Sequence, residues 1–271
     1  MNLTPQLDSI INHAIIGFQF EAIRYSMGTL GVFLLIWILL APLLKNRKIR
    51  AHRSPAKQIE MELLYSLRTI LVFVALDIII FDFAQTQVFK QYQDISQYGT
   101  AWLLVSIVLM LVLHDTYFYW AHRAMHNTKL YKRFHLTHHR SHNPTPFTAY
   151  SFAVGEAVVM YAFIATMRLL IPLHGSALTI VLLVMIFKNA IGHYGYELFP
   201  KNTLSNPILK HLTTVTHHDM HHENADGNFG FYFTWWDKWM GTEHSNYEER
   251  FLQITSQRVK SVNSPLAAQN T

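Results

Sequence analysis

The chain has 271 residues, 51% of them hydrophobic and only 14% charged, where soluble domains carry about 25% charged residues. That balance points to a membrane. The formal charge of +5 falls on basic residues that flank apolar runs, a pattern of membrane proteins that argues against a nucleic-acid partner. The absence of cysteine excludes disulfides, thiolate metal ligands, CxxC redox pairs and cysteine-held iron–sulfur clusters.

In chain order, Asp8, His13, Glu21 and Arg24 interrupt the N-terminus, so it lacks the layout of a secretory signal. Ile10, Ile11, Ala14, Ile15 and Phe18 recur at helical spacing and predict a short interfacial helix. The uncharged run Met27 to Leu44 is the first predicted span, and it ends in the basic segment KNRKIRAHR. A second span is expected over Leu63 to Phe83 despite Arg68 and Asp77, charges that either line a pathway or face a partner helix. A third runs from Gly99 to Trp120. NPTPF, after residue 142, predicts an irregular segment, since each proline disfavours helix at the residue before it. Ser151 to Ile171 and Ser176 to Ile191 then predict a helical hairpin reversed at PLHG. The expected fold is an all-α integral membrane protein of four to five transmembrane helices with a cytoplasmic, histidine-rich di-metal cap. It divides into an N-terminal membrane region (1–98), a histidine-bearing catalytic part (99–251) and a polar, mobile tail (252–271).

The positive-inside rule sets the end of the first span, with its six basic residues between Lys45 and Lys57, in the cytoplasm. Counting crossings from there brings His122 to His142 and His193 to His222 to that same side. The histidines themselves are patterned. His114, His122 and His126 fall on one helical stripe, and His135, His138, His139 repeat the i, i+3, i+4 spacing of His218, His221, His222. Imidazole is a common ligand of zinc, copper, iron and nickel, and eight to ten nitrogens exceed the needs of one tetrahedral ion. Spacing thus predicts a nitrogen-rich, dinuclear site.

HRAMH (122–126), HLTHH (135–139) and HDMHH (218–222), with flanks HDTYFYWAHR and WWDKWMGTEH, resemble the three boxes of the membrane fatty acid hydroxylase and sterol desaturase superfamily. The similarity covers roughly Leu103 to Phe251. The resemblance implies a non-haem centre of two iron ions that uses O2 to hydroxylate or desaturate a lipid, sterol or fatty acyl, at an unactivated C–H bond. It implies as ligands the eight box histidines, His122, His126, His135, His138, His139, His218, His221 and His222, together with His114 and His193. No catalytic nucleophile or general base beyond the metal centre is required.

Asp115, Asn189 and Asp219 are candidates to orient the ligands by accepting ring N–H bonds. His142 and His217 sit off the ligand faces, and ligation, ligand support and substrate contact all stay open for them. Glu156 is expected in a structural ion pair, and Trp235, Trp236 and Trp239 in a membrane-interface belt. The isolated His13, His52, His174, His211 and His244 are expected to be structural or exposed. No haem-binding, flavin or dinucleotide motif is present in the sequence, so an external donor is expected: a cytochrome b5-type protein, a ferredoxin or a reductase. The location is a bacterial inner membrane or the endoplasmic reticulum. A divalent-metal transporter or sensor is the alternative from another class.

Overall fold

Hydrophobic runs dominate the first third of the chain, and they form long helices. The structure is a computed structural model that describes residues 4–50, 52–84 and 88–256. Helix α1 (Thr4–Ser26) continues through π-type turns at Met27–Gly31 and Leu34–Leu40 into α2 (Ala41–Leu44). Together they make one apolar run, Leu7–Arg47, long enough to cross a bilayer. A separate interfacial helix ending before Met27 is therefore not what forms. Glu21 and Arg24, two of the charges that interrupt the N-terminus, pair with each other one turn apart and are both buried. At the first wide turn Thr29 Oγ1 bonds the carbonyl of Tyr25 at 2.8 Å, a back-bond that bends and loosens the regular ladder.

Helix α3 (Ala56–Ala84) begins directly after Pro55. Strand β1 (Gln91–Tyr92) follows, then α4 (Gly99–Met125), which carries the first histidines out of the apolar layer. Two short helices, α5 (Thr128–Phe134) and α6 (Leu136–His139), fold back beneath it. Helix α7 (Val154–Leu170), strand β2 (Leu173–His174) and α8 (Gly175–Gly192) form the predicted hairpin, whose reversal is pinned by parallel pairing of β2 with β1. The cap is completed by α9 (Val215–Glu223), α10 (Trp235–Met240) and α11 (Tyr247–Ser256). Residues 252–256 thus end α11, and the rest of the expected tail lies outside the described residues. Among the described residues four helical runs are long and apolar enough to span: Leu7–Arg47, Ala56–Ile80, Gly99–Met125 and Gly175–Gly192. Helix α7, at 17 residues, is shorter than these.

The proline segment is irregular as far as Thr145, which then caps a short 3-10 helix at Pro146–Tyr150, and from Pro144 on it is buried. Irregular backbone is tolerated inside a membrane bundle only where its polar groups find partners. Here the helices supply them. Tyr25 Oη and Ser66 Oγ donate to the Phe147 carbonyl, at 3.3 and 3.0 Å, and Asn189 Nδ2 donates to Ala149 at 2.7 Å. Arg68 donates to the Phe152 carbonyl, so this charge within the second run holds backbone in place. Asp77 accepts from Tyr161 across the α3–α7 contact.

Helices α1, α3, α4, α7 and α8 enclose a mostly apolar cavity of about 450 Å³, within the range of lipid-sized binding sites. The basic loop after α2 packs onto the cap: Ile49 N bonds the Gly195 carbonyl at 3.0 Å, and Arg50 forms an ion pair with Asp219 at 2.9 Å. Close approach of the first run to α8 depends on Gly28, where an added Cβ would lie 2.6 Å from Ile186 Cγ1. Gly28→Ala is expected to destabilise the bundle by about 1–3 kcal/mol through overpacking, read as a lower midpoint of thermal unfolding in detergent.

Candidate metal centre

Nine of the ten predicted ligands converge into two groups. His122, His126, His135, His139 and His221 form one, and His138, His193, His218 and His222 the other, with the ligand atoms of each group within 4.8 Å of one another. The local sequence explains the division. In each HxxHH box the i and i+4 histidines share a face and serve one group, while the residue between them turns to the other. His135 and His139 serve the first group with His138 in the second; His218 and His222 serve the second with His221 in the first. His139 and His222 stack at the seam, 4.7 Å between centroids. Short capped helices hold these faces: Asn127 caps α5, and the Thr214 side chain accepts from His217 N at the start of α9.

The ring protons determine what the centre is built for. His122 Nδ1 lies 3.0 Å from the Phe229 carbonyl, His221 Nδ1 2.7 Å from Gly227, His193 Nδ1 2.7 Å from Asn189, and His135 Nδ1 2.7 Å from a Glu156 carboxylate oxygen. Each acceptor draws the one proton of a neutral imidazole to Nδ1, which leaves Nε2 as a bare lone pair. Yet His122 Nε2 and His135 Nε2 are only 2.9 Å apart. Likewise His193 Nε2 lies 3.0, 3.2 and 3.1 Å from the Nε2 atoms of His218, His138 and His222. Where both rings keep their proton on Nδ1, as at His122 and His135, facing lone pairs at that separation repel unless a cation lies between them. Nitrogens about 3.0 Å apart are also what adjacent ligands show at metal–nitrogen distances of about 2.1 Å. The donor set fits two metal ions.

Burial keeps these rings neutral. Loss of hydration, reinforced by neighbouring imidazoles, holds His126, His135, His138, His218, His221 and His222 far below the usual histidine range. The same cause brings His139 to about 3 and His193 to about 4.

The supporting groups differ from those expected. Asp115 accepts from Tyr232 N, Phe233 N and Trp235 Nε1, so it clamps the chain before α10 and receives no ring proton. Asp219 is engaged by Arg50. Asn189 does orient His193, but through its main-chain carbonyl. Glu156 is not in the structural ion pair expected of it: its carboxyl group shares a hydrogen bond with Nδ1 of His135, a ring that burial keeps neutral. His142 is exposed, outside both groups. His217 is fully buried against Tyr247 and 3.7 Å from Asp237, also outside them. His114 is not brought to either group; two helical turns before His122, it packs among Phe118, Phe163, Phe231 and Tyr232 and lines the cavity. The carbonyls of Gly227 and Phe229 carry no sequence signal of their own. They belong to a loop held by Asp237, which accepts from Phe229 N and Gly230 N at 2.8 Å. Gly227 and Gly230 are required there, since a Cβ would fall 2.5 and 2.4 Å from the carbonyls of Thr242 and Phe233. Trp236 stacks on Tyr119 and bonds Thr116, so of the three tryptophans Trp239 is the exposed one.

The cavity ends against this centre. Phe118 packs on His122, Phe152 on His138, and Asn189 holds His193.

The fatty acid hydroxylase family pattern matches residues 107–242, half of the chain. The chain belongs to that family. It is similar to lathosterol oxidase of Mus musculus, 33% identical over 152 residues that cover 55% of this chain and 49% of the relative. A delta(7)-sterol 5(6)-desaturase of Gibberella zeae is 27% identical over 158 residues, 58% of this chain and 47% of the relative. A methylsterol monooxygenase of Aspergillus fumigatus is 28% identical over 256 residues, 90% and 79% respectively. The chain spans about half the length of the first two. No solved structure matches it.

Removing the carboxylate behind His135 by Glu156→Leu is expected to weaken metal binding about 10–100-fold, measured by competition with a chelator. Acid acts on the metal-free chain in a defined direction. Unfolded histidines take up protons below about pH 6.5 whereas the folded rings do not, so stability falls as pH drops from about 6.5 toward 4, read as a falling unfolding midpoint.

Proposed function

We propose that this chain is a di-iron, O2-dependent lipid oxidoreductase of the membrane, which hydroxylates or desaturates an unactivated C–H bond. The observation that carries the reading is the two adjacent groups of five and four imidazoles, packed behind Phe118, Phe152 and Asn189 of an apolar cavity. The similarity to a sterol oxidase, a sterol desaturase and a sterol monooxygenase supports it.

In this reading the five histidines of the first group and the four of the second hold one iron ion each. Iron bound there supplies oxygen activation and the one-electron chemistry that removes hydrogen from carbon. The residues of the chain do the rest. The carbonyls of Gly227, Phe229 and Asn189 and the Glu156 carboxylate keep the ligand tautomer and orientation constant. Phe118, Phe152 and Phe231 form an apolar floor that keeps bulk water from the centre and gives a hydrocarbon a surface to lie on. Nine neutral ligands leave the ionic charge largely uncompensated, in contrast to soluble carboxylate-bridged di-iron bundles.

Electrons come from an external donor. The basic loop that packs on the cap carries Arg47, Lys48 and Arg50, and the positive-inside rule makes this a support for a cytoplasmic centre. Divalent-metal transport calls for ligands distributed along the spans, and the compact grouping of nine histidines favours a resident centre instead.

The test is metal analysis of the purified chain together with lipid profiling of cells that do or do not express it. Two iron ions per chain and an O2-dependent lipid product, lost in His139→Ala and His222→Ala, are expected. The reading is abandoned if the protein binds no iron and no such product forms when a donor is supplied.

A further inference from the structure

Halfway along the cavity its apolar wall is broken by a set of polar side chains that the metal centre does not use. Glu21 and Arg24 on α1 pair with each other, and both are over nine-tenths buried. On the opposite wall Tyr161 bonds Asp77, and Arg168 lies further out. Charges at membrane depth are costly and are functional candidates by default. These four charged groups, two acidic and two basic, line the same cavity.

The Glu21–Arg24 node is incompletely satisfied. Arg24 Nη1 reaches the Leu182 carbonyl only at 3.4 Å, and Tyr150 Oη reaches Glu21 Oε2 only at 3.4 Å, both beyond ordinary hydrogen-bond lengths. Among the described residues Arg24 Nε has no partner. A carboxylate acceptor beside a guanidinium donor is complementary to a group that both donates and accepts, which an alcohol does. The balance of two acids and two bases leaves no spare positive charge for a free carboxylate or phosphate.

We propose that this node is a recognition site for the hydroxyl of a lipid alcohol, whose O–H donates to Glu21 and accepts from Arg24, with Tyr150 completing the contact. The proposal rests on the oxidoreductase reading above and names its substrate class. Position along the cavity adds regiochemistry. Leu182, at the node, precedes Asn189, at the metal-facing end, by seven residues of α8, about 10 Å at 1.5 Å per residue. A lipid anchored there lies with its hydrocarbon toward Phe118 and Phe152, and oxidation falls well down the molecule from the hydroxyl, not beside it.

The test is binding of tritiated octadecanol to the full chain in phosphatidylcholine nanodiscs, competed with cholesterol, octadecanoic acid or octadecane. Octadecanol is expected to bind the wild type about tenfold more tightly than octadecane, the worth of a hydrogen bond to a charged group. Tyr150→Phe should reduce that preference several-fold, and Glu21→Gln and Arg24→Gln should abolish it. Stronger competition by cholesterol than by unlabelled octadecanol would identify a sterol as the source of the hydroxyl, and the reverse a linear alcohol. The proposal is overturned if octadecanoic acid competes as well as octadecanol, or if Tyr150→Phe, which keeps the ring and its packing, leaves the alcohol preference unchanged in protein of wild-type unfolding midpoint. Binding needs no turnover, so the two readings fail separately. Intact alcohol preference in a chain that oxidises no lipid sinks the oxidoreductase reading alone, and lipid oxidation with no alcohol preference sinks only the node.

Discussion

Nine imidazoles packed into two groups, with ligand atoms within 4.8 Å of one another in each, are the constraint on which the rest of this structure depends. Two devices hold this arrangement. Acceptors on the outer side of His122, His135, His193 and His221 retain the ring protons. Burial makes it costly for any of the rings to charge. Both require rigid surroundings. The loop 227–230 is tied by Asp237, and that loop is joined through α10 to Asp115 on α4. The aspartates of the motifs therefore act one layer further out than metal support usually does, fixing the backbone that in turn fixes the rings.

A second constraint comes from the bilayer. A centre fed from the membrane needs a cavity among spanning helices, and a cavity needs something to keep the helices apart. The buried segment 143–153 does this as a wedge between α1, α3 and α8. Its backbone polar groups would be prohibitive in hydrocarbon, so side chains from all three helices donate to them. Tyr25, Ser66, Arg68 and Asn189, scattered along more than half the chain, form one network for that reason. The same architecture makes the N-terminal helices part of the site: α1 and α3 wall the cavity that ends at the histidines of the other elements.

Charge is used differently at the two levels of the cavity. At the histidine groups the polar side chains are mostly imidazoles that burial keeps neutral. Along the cavity wall Glu21 and Arg24 form an ion pair, while Asp77 accepts from Tyr161 and Arg168 donates to Gln91. A site arranged this way excludes ionic lipids from its interior while keeping one place where a hydroxyl can be recognised, and distance along α8 separates recognition from chemistry.

How much of this was legible in the sequence follows from the range of each interaction. Helical spans and the three boxes are local properties, set by hydropathy over a turn or two and by i, i+3, i+4 spacing. Those were readable, as was the clustering of nine histidines that the spacing suggested. His114 has the same spacing and the same chemistry as the ligands, yet lies two turns too early; helix rise alone does not say where the second element crosses α4. The sharing of the boxes between two groups, the pairing of Glu156 with His135, the main-chain acceptors at Gly227, Phe229 and Asn189, and the joining of Glu21 and Arg24 to the cavity wall all join residues distant in sequence. A carbonyl has no sequence signature, and a buried charge reads the same whether it marks an interface or lines a cavity. The sequence by itself determined which atoms could bind metal, and the tertiary structure decided which of them meet, because convergence depends on long-range packing that no local pattern encodes.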